Sequence, residues 1–193
     1  FLWLRHTGKP LTKHPTTMSE SEYTILCTET FSKNTKKSIM DRAYLILQWH
    51  CLGRVSEVNF LRYSLIDFYE GPETGILLKL NFSRMKTHVD RDLFLIPHKE
   101  GYITCPYHAL ACLIAVGGST ETIFSGIESE VQYVNELLGD LQKEINEEEK
   151  YECSIRDMTS HSLRRGPAQY YIDVKGIDYS WVVFRGGWSV SNC

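Results

Sequence analysis

From Met18 onward, the chain switches between stretches whose apolar residues recur every three to four positions and stretches where they alternate or run together. Tyr23, Leu26, Cys27 and Phe31 fall on one face of a helix that Ser19 or Ser21 can cap, and the polar run 32–37 breaks it. Residues 38–52 (SIMDRAYLILQWHCL) are apolar nearly all round, the pattern of a central helix packed on several sides. Gly53 ends that helix, Arg54 lies on the connection, and 55–62 adds one or two helical turns.

The period then changes. LIDFYE (65–70), GILLKLNFS (75–83) and DLFLIP (92–97) have strand composition, with GPETG (71–75) as a turn and RMKTHVDR (84–91) as a polar hairpin tip. After Pro106 a second apolar helix runs to Gly117 and Gly118. Val131, Val134, Leu137, Leu138, Leu141 and Ile145 carry an amphipathic helix over 128–148, and helix returns at 160–173 and 178–185. The expected fold class is mainly α (α+β), a helical bundle with a small three-stranded antiparallel sheet. One domain spans 18–193, behind an irregular lead-in or linker end at 1–17, and the chain reads as a fragment or the product of a truncated gene.

At 193 residues and 42% hydrophobic content the chain can bury one sizeable core. No apolar run approaches the roughly 20 residues that span a bilayer, and residues 1–17 lack the centre of a signal peptide, so a soluble intracellular protein is expected. The six cysteines include Cys51 and Cys112 within apolar helical patterns, where a thiol behaves as a small core residue, and reduced thiols are expected. There is no CxxC and no zinc-ligand spacing, so no metal is expected. The net charge of −3 argues against a nucleic-acid partner until its distribution is considered. Residues 128–152 hold nine acids against Lys143 and Lys150, which leaves the rest of the chain at +4. One acidic helix facing solvent is compatible with a basic surface elsewhere.

The candidate chemistry sits at element boundaries. Arg54 opens GRVSEV with Glu57 three residues later, Lys86 occupies the hairpin tip, His161 and Arg164 form HSLRR, and Trp188 ends FRGGW. Taken singly, each has an ordinary explanation: an arginine satisfying helix-end carbonyls, a solvated lysine, a capping histidine, a core tryptophan of the kind that Trp3, Trp49 and Trp181 are expected to be. Taken in order, with matching element types from about residue 18 to 193, they resemble the tyrosine recombinases, the phage-integrase class of DNA strand-exchange enzymes. RRG–A–Y after the histidine, and GGW in place of the commoner GH, look most like the Crypton-type transposon recombinases of eukaryotes.

That resemblance implies a fold, a reaction and a set of roles. Arg54 and Arg164 would clamp the scissile phosphate, because a guanidinium fork matches two phosphate oxygens. His161 and Trp188 would each donate a hydrogen bond to it, Lys86 would protonate the leaving 5′ oxygen, and Glu57 would orient Arg54. Arg84, Lys86 and Arg165 would contact DNA. The attacking tyrosine would lie about ten residues past Trp188 by family spacing, and so outside this chain; Tyr170, Tyr171 and Tyr179 read as packing residues. The implied partner is double-stranded DNA, bound as a homo-oligomer in the nucleus, with no cofactor. A catalytically inactive DNA-binding relic and a helical interaction domain without a nucleic-acid role stand as alternatives. Pro167, three residues after Arg164, is expected to bend the helix that presents it unless that helix begins late.

Overall fold

The structure, a computed structural model, describes residues 17–73, 75–82, 91–99, 101–117, 121–148, 150–151 and 157–188. The lead-in at 1–16 and most of the hairpin tip lie outside them.

Helix α1 (Glu20–Lys33) starts where Ser19 and Glu22 satisfy each other's backbone: the Glu22 N–H donates to Ser19 Oγ at 3.2 Å and the Ser19 N–H to Glu22 Oε2 at 2.7 Å. It ends at Asn34, in the left-handed conformation, and Thr35 caps α2 (Lys36–Cys51) at once. The expected break over 32–37 therefore shrinks to two residues. The polar side chains there are solvated on helix surfaces, so polarity alone did not mark a loop. Within α2, Ala43 through Leu47 are all fully buried, and Trp49 stacks on Tyr23 with ring centroids 4.2 Å apart. As the all-round apolar pattern required, α2 packs against α1, α4 and α6.

The end of α2 differs from expectation. Leu52, not Gly53, adopts the left-handed conformation (φ 49°), and the Leu52 and Gly53 N–H groups donate to the Trp49 and Gln48 carbonyls. A leucine there costs about 1–2 kcal/mol, which complete burial of its side chain offsets. Gly53 is needed for a different reason, because a Cβ on it would sit 2.9 Å from Val58 Cγ2. Tight packing at this point holds the short helix α3 (Val55–Asn59) against the end of α2, and Tyr44 Oη donates to the Val55 carbonyl at 2.7 Å.

The sheet has the expected order and sense. Strands β1 (Ile66–Gly71), β2 (Gly75–Phe82) and β3 (Arg91–Leu95) pair antiparallel as β1-β2-β3. Leu78, Leu80, Phe82, Leu93 and Leu95 face the core. Arg91, assigned from sequence to the polar tip, is instead the first residue of β3, buried and in register with Phe82.

Helix α4 (Pro106–Val116) has proline in its first turn, where no backbone donor is missed. Helix α5 (Glu130–Glu148) buries Val134, Leu137, Leu138, Leu141 and Ile145, but Val131 is 47% exposed at its first turn. Helix α6 (Ser160–Asp173) continues through Pro167, and α7 (Tyr179–Gly186) follows. Beside the proline, Gly166 lets α6 press inward, since a Cβ would lie 2.3 Å from the Met18 carbonyl oxygen.

Cys27, Cys51, Cys105 and Cys112 are free thiols. Burial pushes Cys27 up to about 12 and Cys51 up to about 11, so both stay protonated. Cys112 is only half-buried, beside the His108 ring, because its helix shows that face to solvent. Trp181, expected in the core, is 39% exposed and lies against the Arg185 guanidinium. Among the described residues no helix is long and apolar enough to cross a membrane.

Candidate functional site

The site is organised around one carboxylate. The backbone N–H of Arg54, which precedes α3, donates to Glu57 Oε2 at 2.8 Å, and its guanidinium Nη1 donates to Oε1 at 2.8 Å. Arg91 Nη2 donates to the same Oε2 at 2.8 Å, and Arg164 Nη1 stands 3.6 Å from it. Burial alone would raise the Glu57 carboxyl, but the Arg54 N–H and the charges of Arg91, Arg164 and Arg54 outweigh it and hold it below the usual carboxylate range. Three guanidinium groups thus share one negative charge, leaving an excess of two positive charges.

Arg164 is nearly enclosed, its side chain 10% exposed. Its Nη1 donates to the Leu52 carbonyl at 2.7 Å and its Nη2 to the Gly186 carbonyl at 2.6 Å. The strained turn after α2 and the end of α7 therefore both hold this guanidinium. Burial draws Arg164 down to about 10, so it remains charged at neutral pH. The start of α6 is itself fixed, with the Ser160 N–H on Asn135 Oδ1 at 2.9 Å and Gln48 Nε2 on the Ser160 carbonyl at 3.2 Å.

The FRGGW segment closes the other side. Gly187, left-handed at φ 60°, ends α7, with the Gly187 and Trp188 N–H groups on the Phe184 and Val183 carbonyls. This turn folds the Trp188 ring over Arg164, 4.6 Å from its centroid to the guanidinium carbon. A Cβ on Gly186 would lie 2.1 Å from that ring. Arg185 anchors the segment, donating to the His50 carbonyl at 2.7 Å and the Phe94 carbonyl at 3.1 Å.

Arg54, His161, Arg164 and Trp188 line one cavity of about 700 Å³. Arg165, Val131 and Tyr179 also line it. His161 and Arg164, three apart on α6, meet the cavity on the same side, as their spacing required. Glu57 lies behind Arg54 and Arg164 and joins them. Lys86 and Arg84, the remaining site residues expected from sequence, lie outside the described residues. Tyr179, read as a packing residue, is 52% exposed at the cavity wall, whereas Tyr170 and Tyr171 are partly buried and in ring contact with each other.

Arg91 was missed. Its side chain is 1% exposed, and its partner Glu57 is 34 residues away in sequence. Its position next to the hairpin was the only available signal, and a basic residue in a polar run gives no hint of burial.

No protein-family model matches the chain, and no curated protein matches its sequence. Solved structures do match. The XerH site-specific recombinase bound to its difH substrate is 16% identical with a TM-score of 0.63, over 96% of this chain and 51% of that one. A lambda integrase dimer bound to a COC′ core site gives 16% identity and 0.63, over 96% and 49%. An FLP recombinase–Holliday junction complex gives 17% and 0.59, over 88% and 43%. The chain spans about half the length of these proteins. Mainly helical, with one small three-stranded antiparallel sheet, it has the fold of tyrosine recombinase catalytic domains.

Proposed function

We propose that the chain is the catalytic core of a DNA strand-exchange enzyme that breaks and rejoins duplex DNA through a 3′-phosphotyrosyl intermediate. The observation that carries this reading is the convergence of Arg54, His161, Arg164 and Trp188 on one cavity backed by two uncompensated positive charges. A phosphodiester under attack gains charge on its nonbridging oxygens, and preset guanidinium groups in a partly dry site stabilise that charge most. Arg54, with its side chain 34% exposed, presents donors to the incoming phosphate, while Arg164 meets it from the wall. His161 donates from the α6 start. Trp188 covers Arg164 and can donate its indole N–H, but cannot carry a proton.

In this reading a tyrosine about ten residues beyond Trp188 attacks phosphorus, its oxygen forming the new P–O bond as the 5′ oxygen leaves. Lys86, between β2 and β3 in the sequence, supplies the proton to that oxygen. Arg84, Lys86 and Arg165 contact the DNA. Several copies assemble on paired sites, and by resemblance to Crypton-type recombinases the enzyme is encoded by a transposable element and works in the nucleus.

The test uses the full-length protein and nicked duplexes carrying candidate sites, run on a denaturing gel. A covalent protein–DNA adduct is expected, absent in Arg54→Ala and Arg164→Ala, both of which still bind the duplex. An adduct that survives replacement of the downstream tyrosine by phenylalanine sinks the assignment. Duplex binding with no adduct would instead favour an inactive relic.

A further inference from the structure

Arg91 is buried, charged and tied to the site, yet it lines no part of the cavity described above. Three observations give it a role. Its Nη2 shares Glu57 Oε2 with the Arg54 backbone N–H, both at 2.8 Å, so that oxygen already accepts two strong bonds while Arg164 waits at 3.6 Å. Its Nη1 occupies the space next to Gly187, where a Cβ would lie 1.7 Å away. It pairs with Phe82, and its guanidinium carbon sits 5.3 Å from the centre of that ring, at the base of the β2–β3 hairpin.

Without Arg91, Glu57 Oε2 would lose its strongest side-chain donor. Arg164 Nη1 is the nearest cation able to replace it, and a shift of under 1 Å would bring it to hydrogen-bond distance. That shift would pull Arg164 away from the cavity. We infer that Arg91 is a positioning residue which, by filling Glu57 Oε2, keeps Arg164 turned toward the cavity and fixes the hairpin base to the turn that carries Trp188. This rests on the reading of the cavity as a phosphate site. The unpartnered Nε of Arg91 fits a group placed for its reach to Glu57 and Gly187 and not for complete satisfaction of its own donors.

The probe is inorganic sulfate, which keeps its charge over the working pH range, titrated into the protein while the Arg164 Nε–H signal is followed by NMR. In the parent protein that signal moves saturably. In Arg91→Met the affinity should fall about tenfold, as expected for loss of a charge-assisted hydrogen bond. The nuclear Overhauser contact between the Arg164 side chain and the Trp188 ring should also weaken before any sulfate is added, a change of distance that loss of charge alone would not produce. Arg91→Lys, whose ammonium can still meet Oε2, should restore both. A folded Arg91→Met with the parent contact and affinity overturns the inference, as does an Arg91→Lys that behaves like Arg91→Met. If Arg91→Met does not fold, Arg91→Gln is read in the same way, and failure of both to fold makes Arg91 a purely structural residue and overturns the assignment. Absence of any response in the parent protein instead defeats the phosphate reading.

Discussion

Along the Ala43–Leu47 stretch of α2 the interior is mostly apolar: these residues are fully buried, and apart from the Tyr44 hydroxyl on the Val55 carbonyl their burial needs no fixed orientation of neighbours. At Glu57 the interior is ionic, and each partner has a stated atom to meet. The first kind of interior stabilises the fold, and several side chains of similar volume could do the same work. The second gains little net stability, because desolvating four charges opposes their attraction. What it provides is geometry, with guanidinium groups fixed at the edge of a cavity. The contrast teaches where in this molecule stability is spent on placement.

Breaking the ionic interior from its centre should have the largest effect. Glu57→Ala leaves Arg91 and Arg164 buried without their carboxylate, and a loss of about 3–5 kcal/mol is expected in urea unfolding. In the apolar interior, Ile46→Ala should cost about 2–5 kcal/mol in the same measurement while leaving sulfate binding intact in the folded fraction. Gly166→Ala forces a methyl group against the Met18 backbone, with an expected loss of about 1–3 kcal/mol.

Acid should separate the two interiors further. Glu57 and Glu29 are both held below the usual carboxylate value, Glu29 by Lys150 and Tyr151 against the effect of its burial. A carboxylate lowered on folding adds stability that is fully present above its unfolded pKa, near 4.3, and is lost as pH falls through the folded value. Melting temperature should therefore begin to decline as pH falls below about 6.5, where His50, buried and held down to about 3, takes up its proton only on unfolding, and should fall more steeply below about pH 5, with that lower part of the decline reduced in Glu57→Gln. The smallest effect belongs to the solvated face of α5, where Lys143 and Glu147 are 3.9 Å apart and both mostly exposed. Lys143→Ala should leave the melting temperature unchanged within error.

The helices and strands were legible because their signals are local: the recurrence of Val134, Leu137, Leu138, Leu141 and Ile145, or the cap at Ser19, needs only a few neighbouring residues. The four cavity residues were legible as a set only through resemblance, since no spacing rule connects Arg54 to Arg164. The misses share a cause. Leu52 takes a conformation that tertiary packing imposes against local preference. Arg91 is buried because Glu57 awaits it, and Trp181 stays partly exposed because Arg185 holds it near the surface.

The pair Gly186 and Gly187 is bounded from two directions, by an indole ring on one residue and a guanidinium on the next. Adding even a methyl group at either position would displace a different side chain. A library randomised at these two codons and selected for function should consequently return to glycine at both, although neither residue has a functional group of its own.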